Sequence, residues 1–145
     1  MRTLVERSSR GGTIDATKGR KAYNPVAVAE AAKASKVYAS GLNFARFEGM
    51  PPKGARDLMN PGRAVRLDPG GRQNRSPVAI EMVRLAEQHD GTLEGYVIGG
   101  KRGGRVSVDG VTIRADDATA ESLFLETAPD EYGKVSPGKY RYWWD

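Results

Sequence analysis

Val106-Ser107-Val108-Asp109-Gly110-Val111-Thr112-Ile113 is the stretch on which the fold turns. Two runs of alternating apolar and polar residues flank Asp-Gly. That dipeptide suits a two-residue hairpin turn, because both turn positions need a positive φ. With Asp109-Gly110 as the turn, Val108 pairs with Val111, Ser107 with Thr112, and Val106 with Ile113. The four apolar side chains then share one face. The stretch therefore predicts an antiparallel hairpin with one buried side.

Upstream, Leu93 to Ile98 supplies a neighbouring strand. It joins the hairpin through Gly99-Gly100-Lys101-Arg102-Gly103-Gly104. Before it, Ser76-Pro77 opens a helix running to about His89, and Asp90-Gly91 closes it. Val78, Met82, Leu85 and Ala86 fall on one helical stripe, with Glu81, Arg84 and Gln88 facing away. Downstream, Asp116 or Asp117 can cap a helix over 118–126, although Leu123-Phe124-Leu125 reads equally as strand. Pro137-Gly138 marks a turn into a terminal aromatic strand over 140–144.

These elements give an α+β class: a small antiparallel sheet over roughly 92–114 plus the C-terminal strand, a packed helix, and long irregular basic extensions. The chain divides into a basic N-terminal arm (1–23), an Ala-rich helix and apolar patch (24–48), a Pro/Gly-rich basic loop (49–75) and an α+β module (76–145). Within the second segment, Asn24 and Pro25 suit a helix start, and the helix is read to residue 40, with Gly41 at its end. Leu42, Phe44 and Phe47 follow it as the apolar patch.

Charge is divided unevenly along the chain. Residues 1–75 hold 15 Lys/Arg against 6 Asp/Glu, whereas residues 76–145 hold 8 against 12. The whole chain is at +5, with a pI near 9.6. An excess of this kind favours acidic partners. Apolar residues, glycine not counted, make up 39% of the sequence, and the expected core is modest. A structureless loop as long as 49–75 is unusual in a compact domain, and implies function or a partner on which it wraps.

The chemistry-bearing motifs are few. No cysteine is present, which excludes disulfides, thiolate metal sites and cysteine catalysis. Gly99–Gly104 departs from a nucleotide-binding loop: Lys101 is followed by Arg102 rather than Ser or Thr, and no helix follows. His89 is the single histidine and lies at a helix end, where its partial charge suits the dipole. Asp116-Asp117 and Asp130-Glu131 lack the spacing of a calcium loop. Neither a catalytic group nor a cofactor or metal site is expected.

Residues expected to bind a partner are instead the cations of the loops and arm, Arg10, Lys18, Arg20, Lys21, Arg63, Arg66, Arg72, Lys101, Arg102 and Arg105. Trp143 and Trp144 join them, because consecutive strand residues point to opposite faces and one tryptophan should lie outside the core. Two functions fit. The first is a non-catalytic structural subunit of a large assembly of the virus or phage particle type, lacing basic arms onto neighbouring subunits. Leu4, Val5, Leu58, Met59, Val65 and Leu67 would make those contacts. The alternative is a nucleic-acid-binding accessory protein whose basic loops follow phosphates. Neither a signal peptide nor a run of about 20 apolar residues is present, so a cytoplasmic or virion location is expected.

Overall fold

The computed structural model of the chain describes residues 3–4, 23–100 and 103–145. Its strands are β1 (Thr3–Leu4), β2 (Lys36–Ala39), β3 (Phe44–Met50), β4 (Val65–Leu67), β5 (Thr92–Ile98), β6 (Gly104–Arg114), β7 (Glu131–Ser136) and β8 (Lys139–Trp143). Its helices are α1 (Pro25–Ala31), α2 (Pro52–Leu58), α3 (Ala79–Gln88) and α4 (Asp117–Thr127). The class is α+β, as expected, but the sheet is not small. Its strands run in the order β1-β2-β3-β5-β6-β8-β7, and β4 adds in parallel to the first residues of β6.

The deciding stretch is not a hairpin. Residues 104–114 form one continuous strand that pairs along its length with β5. Gly110 lies opposite Glu94 and Val108 opposite Gly95, so Asp109 is an extra residue in the ladder, a β-bulge. Neither Asp109 nor Gly110 has a positive φ. In an unbroken strand, Val108 and Val111, three residues apart, would face opposite sides. The bulge resets the phase, so Val106, Val108, Val111 and Ile113 are all buried in one core. The shared face is as expected, and a bulge rather than a turn produces it.

Cross-strand rows show how the sheet is divided. Ala45, Val97, Val106 and Leu67 are in register across β3, β5, β6 and β4. Met50, Leu93, Val111 and Tyr142 form a second row. All are buried, together with Ala29 of α1, Leu58 of α2, Met82 and Val83 of α3, and Ala120 of α4. The helices thus cover the apolar face. The opposite face carries the alternate residues, among them Phe44, Arg46, Glu94, Tyr96, Arg105, Arg141 and Trp143.

Residues 49–75 are not an extension. Pro52–Leu58 is helical and Val65–Leu67 is strand, with Leu58, Val65 and Leu67 buried. The Ala-rich helix ends at Ala31, well short of residue 40. Lys33 takes φ 68, and Lys36–Ala39 turns back as a strand on β3. Gly41 instead lies in the turn between β2 and β3. Asn24 caps α1 as read, accepting from the Val26 and Ala27 amides at 2.9 and 3.3 Å. Ser76 does not cap α3; its hydroxyl donates to the Pro77 carbonyl and accepts from Gln73 N–H. Asp116 caps α4 through the Thr119 amide at 2.7 Å, which decides 122–126 as helix. Apart from Thr3–Leu4 and Tyr23, the N-terminal arm lies outside the described residues. Among the described residues no helix is long and apolar enough to cross a membrane.

Candidate nucleic-acid interface

The bulge at Asp109 turns a carboxylate onto the sheet face away from the helices, where four charged residues interlock. Arg46 of β3 donates to Asp109 Oδ2 at 2.6 Å and to Glu94 Oε2 at 3.0 Å. Arg141 of β8 grips the same Glu94 with two bonds, 2.6 and 3.0 Å long. Side-chain exposures of 13% for Arg46, 7% for Glu94 and 8% for Asp109 place these three largely out of water, while Arg141 closes the cluster at its solvent side, 36% exposed. Burial pushes the Asp109 carboxyl above its ordinary value, against the pull of Arg46, and the charge of nearby Glu94 pushes the same way. Burial also works against the Arg46 charge, but its bonds to two carboxylates outweigh that and hold the guanidinium above its ordinary value. Both shifts are upward, but the Arg46 shift favours its charged form because it faces two anions, whereas the Asp109 shift disfavours its charged form because burial and Glu94 outweigh one cation. Asp109 Oδ1 and Trp143 Nε1 are both buried without a well-formed hydrogen bond, yet the Trp143 indole lies close enough to the Asp109 carboxyl to pull its titration down. Arg141 also reaches the exposed Glu131 of β7 at 3.5 Å, so the two cations face three anions, and the cluster acts as a frame for β3, β5, β6 and β8.

A second group of arginines is not matched in this way. Arg66 on β4 and Arg105 on β6 are register partners in a parallel ladder, so their side chains leave the same face side by side. Arg72 approaches from the loop between β4 and α3. The three line a cleft of about 180 Å³ with Asp68, Gln73 and Ser107. Arg66 Nε donates to the Met59 carbonyl at 3.0 Å, which anchors that side chain. Asp68 Oδ1 accepts from the Gly70 amide at 3.0 Å and so shapes the loop. Among the described residues none of the three arginines forms a salt bridge. Like charges side by side on neighbouring strands repel, and a bound anion would relieve that cost.

Aromatic rings adjoin the cleft. Tyr96 of β5 stacks on Phe44 of β3, with centroids 5.3 Å apart and planes at 19°. The Tyr96 hydroxyl is held by Gln73 Oε1 at 3.0 Å. The Arg105 guanidinium lies 6.0 Å from the centre of the Tyr96 ring. A wider depression of about 380 Å³ beside α4 is rimmed by Asp117 and Glu121, and Lys134 already pairs with Asp117 across it at 3.2 Å.

Of the cations expected to bind a partner, the structure brings Arg66, Arg72 and Arg105 together. Arg63 lies on the turn before β4, where its Nε donates to the Asp57 carbonyl, and it does not line the cleft. Arg10, Lys18, Arg20, Lys21, Lys101 and Arg102 lie outside the described residues. Trp144 is fully buried and its indole N–H donates to the Thr127 carbonyl, so it offers no surface to a partner. Trp143 lies on the other face, under Arg141 at 5.4 Å. Tyr96, Phe44, Gln73 and Asp68 were not legible as site residues. They come from separate segments, and only the strand order places them beside the arginines. No family model matches the chain, and no curated protein or solved structure is found to be similar to it.

Proposed function

We propose that this protein is a nucleic-acid-binding accessory protein that takes the phosphate backbone at the Arg66–Arg72–Arg105 cleft. The observation that carries this is the convergence of three arginines, none in a salt bridge with a described residue, from three segments onto one cleft. Guanidinium groups suit phosphate because they offer paired donors in a plane. The bond to the Met59 carbonyl preorganises Arg66 without neutralising it.

Salt dependence is the test. Three phosphate contacts give a slope of log K against log salt of about −2 on single strands and nearly −3 on duplex. Anisotropy of labelled DNA and RNA oligonucleotides, titrated from low to physiological salt, measures it. Arg72→Glu or Arg105→Glu should weaken binding at every sequence and flatten the slope. Absence of binding at low salt, or a slope unmoved by both substitutions, would refute the proposal.

The structural subunit of an assembly is a second reading, and one observation favours it. β7 ends the sheet with one backbone edge unpaired by any described strand, and Val135 on it is 57% exposed. The contacts first expected for such a subunit have changed, because Leu58, Met59, Val65 and Leu67 are spent on this protein's own core. A native mass well above the chain's 15.7 kDa, in the absence of nucleic acid, would support it.

A further inference from the structure

The cleft meets the aromatic pair at one residue, Arg105, and that junction bears on which form of nucleic acid is bound. We infer that the ligand is a single strand, with one base held between the Tyr96 ring and the Arg105 guanidinium while its phosphates lie on Arg66 and Arg72. The inference rests on the nucleic-acid reading above.

The geometry is a ladder across three strands. Phe44, Tyr96 and Arg105 lie on β3, β5 and β6, and their side chains share the face opposite the helices. Phe44 takes one side of Tyr96, in a close stack. Arg105 approaches from β6, across β5 from Phe44, and stays at 6.0 Å, the outer limit of about 6 Å for a cation over a ring. Its bond to the Tyr96 hydroxyl is long, 3.5 Å, and the side chain is exposed. The Phe44 side of Tyr96 is therefore closed and its Arg105 side loosely covered. The ring itself cannot swing, since Gln73 holds its hydroxyl and Phe44 its face. A fixed ring beneath a movable guanidinium suits a flat, neutral, aromatic group joined to a phosphate. A base in an intact duplex is already stacked on both sides and cannot enter, whereas a base in a single strand can.

The test compares four probes with the full chain: a labelled oligothymidylate, an abasic strand of the same length, a duplex, and inorganic polyphosphate. The oligothymidylate should bind at least fivefold more tightly than the abasic strand, the low end of what one stacked base contributes. It should also bind more tightly than the duplex. Arg105→Lys keeps the charge and loses the plane. It should cost the oligothymidylate fivefold or more and leave polyphosphate within about twofold. Tyr96→Phe keeps the ring and should retain the preference for bases; Tyr96→Ala should abolish it. Tyr96 is half-buried, so if its Ala variant fails to fold, Arg105→Lys decides. Equal affinity for the abasic and base-bearing strands, or a duplex bound as well as the single strand, overturns the inference alone. Failure of all four probes to bind overturns the nucleic-acid reading with it.

Discussion

Replacing Arg46 with Met removes the one cation that touches both buried carboxylates. Glu94 would keep its two bonds to Arg141, 2.6 and 3.0 Å long. Asp109 would keep only the pull of the neighbouring Trp143 indole: its Oδ2 loses a 2.6 Å bond, and its Oδ1 has no well-formed bond to begin with. Breaking a buried ion pair from one side costs about 3–5 kcal/mol. The 13% exposure of Arg46 and the escape open to Asp109, which can take up a proton, favour the lower end, about 3 kcal/mol. That is a large part of a total stability on the order of 5–15 kcal/mol. In urea the midpoint should fall by roughly 1–3 M at an unchanged slope. In a thermal scan Tm should fall by about 6–12 °C. Adding Asp109→Leu to Arg46→Met removes the stranded charge and should restore most of the loss. The reasoning is refuted if Arg46→Met unfolds within about 0.5 kcal/mol of the parent, or if the double variant is no more stable than the single one.

Three further outcomes follow from the same elements. The raised carboxyl of Asp109 binds its proton more tightly in the folded than in the unfolded chain, so its contribution is full below the unfolded value, about 3.9, and is lost as pH rises through the folded one. The stability of Asp109→Asn relative to the parent should therefore increase with pH across that window in chemical denaturation; a decrease would contradict the burial of Asp109. At Gly110 an added Cβ would lie 2.6 Å from Glu94 Cγ and 2.7 Å from its Oε1, and Glu94 is pinned by two arginines. Gly110→Asn, harmless in an Asp-Gly turn, should here cost about 1–3 kcal/mol in a thermal melt. Asn24→Ala removes the cap of α1 and should cost about 1 kcal/mol, with faster amide exchange at Val26 and Ala27; unchanged exchange would show that the cap does not hold the helix.

The sequence by itself determined the features whose cause is local. The Asn24-Pro25 start of α1, the Asp116 cap of α4, the turn at Gly138 (φ 76) and the Met82 and Ala86 positions of the α3 stripe each depend on residues within one or two turns of each other, whereas Val83 and Ala79, not Leu85 and Val78, complete the buried side of α3. So does the strand at Thr92–Ile98. Three things had causes distant in the chain. Lys36–Ala39 continues an Ala-rich stretch with good helix propensity, yet it is strand because β3 offers it a ladder and Val37 a buried place. Residues 49–75 look too polar to order, but α2 and β4 are short pieces that gain stability only by burying Leu58, Val65 and Leu67 against a sheet formed elsewhere. Asp109-Gly110 fits a hairpin by every local rule, and tertiary structure overrode it. A straight strand could pair with β5 throughout, and Arg46 stood ready to receive the bulged carboxylate. The cleft belongs to the same class. Sequence could supply Arg66, Arg72 and Arg105 as cations, but their meeting depends on β4 adding to β6 in parallel and in register, a pairing no local signal encodes.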